Sequence, residues 1–157
     1  MFNDCECINY WFGNSKRFST LIDLVISGIN DKNKNVYVTA ISFCSNLTLN
    51  GLNLIKFEYN VQWIKLLECL ITFIKTVDQL DNESSFKISI SFYRLIKDRL
   101  TEHMTDQIKG NVQEISDIIY YWNIDDNLKI SIKESLENEN ENEATKDKFE
   151  VDYGFDE

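Results

Sequence analysis

The residues with most to offer a reaction are one histidine, four cysteines and a few neighbouring carboxylates. His103, in "LTEHMTDQ", is the sole imidazole of the chain. A histidine acting as a general base needs a group to orient it and a nucleophile within reach. No cysteine lies near it in sequence, and it falls on the charged side of a helical pattern, so a surface position is expected. Cys5 and Cys7, in "CEC", could ligate a metal, but a structural zinc site takes four ligands, usually as two spaced pairs. Cys44 and Cys69 fall on separate apolar helix faces and read as buried free thiols. No metal site is expected. The adjacent Asp125 and Asp126 could do acid/base work, but they sit in a turn between helical patterns, where aspartate caps helix starts. There is no G-x-S-x-G, and five glycines make no phosphate-cradling loop. No cofactor and no catalytic residue are expected, and the chain does not read as an enzyme. "NLT" (46–48) and "NES" (82–84) match the glycosylation pattern, which matters only in a secreted chain.

The side chains suited to binding lie at the two ends. Near the start, "INYWF" gathers Ile8, Tyr10, Trp11 and Phe12 ahead of the first helix. Residues 1–16 read as an aromatic lid over the end of a helical stack, or Tyr10, Trp11 and Phe12 anchor a partner. At the other end, "KFEVDYGFDE" sets Phe149, Tyr153 and Phe155 among Glu150, Asp152, Asp156 and Glu157. Acid alone makes a solvating tail. Large rings inside acid form a short recognition segment, rings for pockets and carboxylates for a basic rim. The segment resembles the acidic-aromatic stretches of histone chaperones, and loosely the D-x-F-type motifs of clathrin-adaptor ligands.

Charge divides the chain in the same way. Of a net −10, residues 137–157 hold nine acidic and two basic groups, so residues 1–136 are close to balance. An acidic chain repels phosphate backbones and anionic lipid, so neither nucleic acid nor membrane is the expected partner. A basic protein suits the tail. No run reaches the length of a membrane span, and the start lacks a basic n-region and an apolar run of signal-peptide length. With no recognisable cysteine framework, a reduced cytoplasmic or nuclear location is the default.

The elements that hold these residues are helical. A chain of 157 residues without proline favours long uninterrupted helices. Phe18, Leu21, Ile22, Val25 and Ile29 form one helical face over 17–29. Val36, Ala40, Phe43, Cys44 and Leu47 form a second over 34–49, with Gly51 a candidate C-terminal cap. Val61, Ile64, Leu67, Ile71 and Ile74 form a third over 60–77, with Trp63 and Lys65 flanking. "FKISISF" (86–92) alternates like a strand. The longer stripe Ile88, Phe92, Leu95, Ile96, Leu100, Met104 and Ile108 outlasts the alternation and predicts a helix over 84–106, ended by "KGN" (109–111) and begun by a cap at Asp81 or Asn82. Val112, Ile115, Ile119 and Trp122 predict a fifth helix, 111–122. Leu128, Ile132 and Leu136 predict a sixth, 126–137. Beyond it the charged, aperiodic tail, 137–157, is expected to be disordered alone.

These helices echo one another. "YVTAISF", "FKISISF" and "LKISIKE" begin at residues 37, 86 and 128, each near the start of an even-numbered helix after a polar break. Helix pairs recurring every ~40–47 residues are the period of HEAT and armadillo arrays, in which each pair buries its apolar face against the next. "GINDKNKNVYVTAISFCSNL" resembles a HEAT-repeat junction: an aspartate–asparagine turn, then a helix with a hydrophobic residue, Val36, and a small one, Ala40. Ser89 and Ser131 stand where the later copies would carry that small residue. The same segment, with the "LTLNG" that follows, also resembles a middle helix of VHS and ENTH trafficking domains. The expectation is an all-α fold of three antiparallel helix pairs stacked as a short HEAT/armadillo-like solenoid over 1–136, followed by the acidic tail. The resemblance implies a protein–protein interaction module: an adaptor, assembly factor or complex subunit. Rival expectations are a chaperone or escort for basic proteins such as histones or ribosomal proteins, and a VHS/ENTH-like trafficking adaptor. A solenoid's concave face usually comes from its second helices, which marks Tyr93, Arg94, Lys97 and Arg99 as candidate contacts.

Overall fold

The computed structural model describes residues 14–51, 60–97 and 105–136. They form six helices: α1 (Ser15–Ile29), α2 (Lys34–Gly51), α3 (Asn60–Thr76), α4 (Asn82–Lys97), α5 (Asp106–Tyr120) and α6 (126–136). Among the described residues there is no strand, so "FKISISF" is helical despite its alternation.

Side chains in the turns start these helices. Asn14 has extended backbone (φ −144°, ψ 122°), and its Oδ1 accepts from the backbone N–H of Lys16 at 2.9 Å and Arg17 at 3.1 Å. Such caps are worth about 1 kcal/mol because they satisfy donors the first turn leaves open. In the turn before α2, Asp31 Oδ1 accepts from Asn33 N–H at 2.8 Å and Asn33 Oδ1 from Asn35 N–H at 2.9 Å. Asp81 Oδ2 accepts from Ser84 N–H at 3.1 Å, making Asp81 the cap of α4. Before α6, the carbonyl of Asp125 accepts from the N–H of Leu128 and of Lys129, while Asp126 pairs with Lys129 at 3.8 Å. The Asp125 bonds are made by its backbone, as any residue there could make them, and the Asp126 contact is an exposed i,i+3 ion pair.

The helices pack in two layers. α1 lies beside α3 and α3 beside α5; α2 lies beside α4; within pairs, α1 meets α2 and α3 meets α4. This neighbour-to-neighbour pattern is compatible with a helical repeat. One core runs through it, with Phe18, Ile22, Trp63, Leu67, Phe92 and Ile115 all buried. The Phe18 and Trp63 rings tie α1 to α3 with centroids 5.0 Å apart, and Tyr37 meets Phe73 edge-on at 5.4 Å, tying α2 to α3. Leu128 and Ile132 bring α6 into the same cluster. α1 and α2 close on each other at Gly28, where a Cβ would stand 2.8 Å from that of Ala40. The small residue Ala40 thus has a steric reason: both helices are small where they touch.

Four sequence expectations need correcting. α4 does not run on to 106: Thr105 is extended (ψ 166°), and its Oγ1 accepts from Ile108 N–H at 3.2 Å, so Ile108 belongs to the next helix. Lys109, Gly110 and Asn111 lie inside α5 rather than ending α4. An exposed helical glycine costs only about 1 kcal/mol, which a capped, apolar-striped helix absorbs. In α3 the buried arc is turned relative to the stripe that was read: Trp63 is fully buried and Val61 is exposed, because α3 packs against α1, α4 and α5 together. Gly51 is the last residue of α2 and not the position after it, where a left-handed cap would stand.

Candidate functional site

The face with the clearest binding chemistry lies at the corner between α5 and α6. Tyr121 is the C-cap of α5, and its N–H bonds the Ile118 carbonyl, which throws its ring out of the helix. It is 84% exposed, and Tyr120 beside it is 57% exposed. The two rings meet edge-on, 5.3 Å apart at 85°. The Lys129 ammonium, from α6, stands 5.8 Å from the centroid of the Tyr120 ring. Cation and ring attract each other at this range. These residues line a cleft of about 480 Å³ with Lys133, Ser116 and Asp117. The cleft offers aromatic faces, two ammonium groups and one carboxylate.

A second feature is apolar. Along the outer side of the first pair, Leu21, Leu24, Val25 and Gly28 of α1 and Val36 and Phe43 of α2 line a groove of about 570 Å³. Leu24 is 62% exposed and Val36 39%.

The third is the seam of α2 and α4. Arg94 Nη1 donates to the Ser45 carbonyl at 2.7 Å and to Thr48 Oγ1 at 3.3 Å. Partial burial lowers its pKa from the ordinary arginine value, though the group stays charged at any working pH. Lys87 Nζ donates to Ser42 Oγ at 3.1 Å and pairs with Glu83 at 2.9 Å. Between these contacts Cys44 is buried; burial pushes its thiol up to about 12, partly offset by a hydrogen bond with Ser91. Burial likewise raises Cys69 to about 11. Neither thiol forms reactive thiolate near neutrality.

The structure separates the proposed contact set on α4. Arg94 turns inward against α2, while Lys97 stands 5.5 Å from the Tyr93 ring centroid. Arg99 lies outside the described residues, as do His103, Cys5, Cys7, the terminal Tyr10, Trp11 and Phe12, and the tail with Phe149, Glu150, Asp152, Tyr153, Phe155 and Asp156. Among the described residues, no three His, Cys, Asp or Glu side chains are grouped to hold a metal ion, and no helix is long and apolar enough to cross a membrane. Sequence reasoning missed the Tyr120–Tyr121 corner. Its signal was present: two tyrosines in "IIYYWN" that fall off the Ile115–Ile119 stripe. Comparisons with protein-family models, with curated proteins and with solved structures returned no match for this chain.

Proposed function

We propose that the chain is a protein–protein interaction module, an adaptor, assembly factor or complex subunit of HEAT-like build. The observation that carries this reading is the exposed pair Tyr120–Tyr121 beside Lys129. Tyrosine is over-represented at interface hot spots because its ring buries area at little entropic cost while its hydroxyl keeps a hydrogen bond. A soluble surface gains nothing by presenting two such rings at one turn. The two-layer packing and the three polar turns before α2, α4 and α6 support the repeat assignment. Two buried, unpaired thiols, Cys44 and Cys69, support a reduced cytoplasmic or nuclear setting.

In this reading the helices hold the tyrosine corner rigid, and the tail beyond 136 engages a second, basic surface of the same partner. Linking two contacts raises the effective concentration of the second. A chaperone for basic proteins is the second reading, favoured by the nine acidic groups of residues 137–157. One affinity experiment separates them. Tagged full-length chain, Tyr120→Ala/Tyr121→Ala and a chain ending at 136 are compared by quantitative mass spectrometry of what they retain. Loss with the tyrosine variant supports the interaction module. Retention by that variant, with loss only on tail removal and steep salt sensitivity, supports the chaperone. Partners indifferent to both changes overturn this account.

A further inference from the structure

The cleft between α5 and α6 has an uneven hydrogen-bonding inventory. Lys129 and Lys133 bring ammonium groups, which only donate. The hydroxyls of Tyr120 and Tyr121 can donate or accept. On the α5 side the acceptors are the Asp117 carboxylate and the Gln113 amide oxygen. An ordinary extended segment brings an N–H at every residue, and each one that leaves water needs an acceptor. A proline residue brings a carbonyl and no N–H. We infer that this cleft, taken as the interface proposed above, receives a proline-rich segment of the partner in the polyproline II conformation.

Shape, charge and reach agree with the inventory. The two tyrosine rings meet at 85° with centroids 5.3 Å apart, so they form an angled notch rather than a flat stack. A pyrrolidine ring fits such a notch, and a polyproline II segment arrives already extended, with little conformational entropy to lose. Tyr121 and Tyr120 are exposed, so the notch is open without any change in the core. The two lysines are matched in charge by Asp117 in the cleft and by Asp126, 3.8 Å from Lys129. The site is thus near neutral and exerts no net pull on an acidic or a basic chain. The Lys129 ammonium, 5.8 Å from the Tyr120 ring centroid, also repels a cationic side chain from that ring. Lys129 and Lys133 stand one α-helical turn apart, about 6 Å along α6. One turn of polyproline II spans about 9 Å, enough to carry successive carbonyls past both ammonium groups.

Fluorescence-anisotropy titration of the full-length chain tests this with three labelled ten-residue peptides: all proline, alternating glycine and serine, and alternating glutamate and serine. The all-proline peptide is expected to bind at least about tenfold more tightly than the other two, the effect of one hot-spot side chain. Tyr121→Ala, at a position the core does not need, should weaken that binding at least about tenfold with an unchanged circular-dichroism spectrum. Tyr121→Phe, which keeps the ring, should weaken it by less than about threefold, and Lys133→Gln by about two- to fivefold, the loss of one hydrogen bond. Equal binding of the three peptides, tighter binding of the glutamate peptide, or all-proline binding indifferent to Tyr121→Ala would each overturn the assignment. If the three peptides bind equally while Tyr120→Ala/Tyr121→Ala still loses its partners in the affinity experiment, the interface stands and this occupant falls.

Discussion

The two layers of this protein are held by different means. α1, α3 and α5 meet through large apolar side chains, with the Phe18 and Trp63 rings in contact and Ile22, Leu67 and Ile115 buried around them. α2 and α4 meet through small and polar ones: Ser42, Ser45, Thr48, Cys44 and Ser91, crossed by Lys87 and Arg94. The α2–α4 contact is nonetheless the most extensive between any two described helices. Small side chains let two helix backbones approach, and the hydrogen bonds that follow satisfy the polar groups such closeness buries. Both layers bury apolar area, Ile41 and Leu47 on α2 and Ile88 and Phe92 on α4 included, and the α2–α4 seam adds close approach and part-buried hydrogen bonds to it.

The largest effect belongs to the apolar layer. Trp63→Ala removes a fully buried side chain packed on Phe18, and a loss of about 3–5 kcal/mol is expected. Urea unfolding followed by circular dichroism measures it; a loss below about 1 kcal/mol would mean that this layer is not the core. In the polar layer, Arg94→Met keeps the stem and deletes the charged donor to Ser45 and Thr48. A loss of about 1–2 kcal/mol is expected, below the range for fully buried charged bonds because the guanidinium is partly exposed. Combined with Thr48→Val, the losses should fall short of adding, since both act on one contact. Strict additivity would dissolve the distinction between the layers.

How much of this was legible depended on how many neighbours a helix has. α1 meets two helices, α2 and α3, and the five residues read as its stripe, Phe18, Leu21, Ile22, Val25 and Ile29, are the five buried ones. α3 has helices on three sides, so its buried arc is wider than any stripe and takes in Trp63, Leu66 and Leu70, which a single-face template leaves out. Val36 belonged to the pattern of α2 yet lies exposed in the outer groove, because a stripe does not say whether a neighbour exists to cover it. The break between α4 and α5 was hidden by a hydrophobic period that continues through it, with only Thr105 to mark the restart. The tyrosine corner was visible as residues but not as a site, because exposure depends on where α6 turns back.

A smaller, pH-dependent effect distinguishes the turns from both layers. The backbone N–H of Ser84, then its hydroxyl, hold the Asp81 carboxyl below its ordinary value of 3.8. A depressed carboxyl stabilises the fold above its unfolded pKa, and that contribution is lost as pH falls through the lower folded value. Asp81→Asn keeps an acceptor for the cap but cannot titrate. It should lie slightly below the parent at neutral pH, show a flatter fall in stability below about pH 4 and converge with the parent in acid. Asp81→Ala should cost about 1 kcal/mol at neutral pH. Identical acid limbs for parent and Asp81→Asn would show that the cap is not charge-assisted.

The smallest effect has the opposite sign and tests the repeat itself. Ser89 occupies in the second pair the place that Ala40 holds in the first, where α2 touches Gly28. Its hydroxyl is fully buried and has no hydrogen-bond partner. A buried donor without a partner costs free energy that deleting it returns, and alanine is the better helix former by about 0.5 kcal/mol. Ser89→Ala is therefore expected to stabilise the chain by about 0.5–1.5 kcal/mol. Ser91→Ala, which deletes a hydroxyl that bonds Cys44 and the Lys87 carbonyl, is expected to destabilise it. The two substitutions are chemically identical and two residues apart on one helix. If both moved stability the same way, helix propensity alone would account for them, and the polar layer would hold no bond worth the name. If they move it in opposite directions, the hydroxyl at 91 is an interaction. The one at 89 is then a tolerated departure from the small residue that close packing of a helix pair requires.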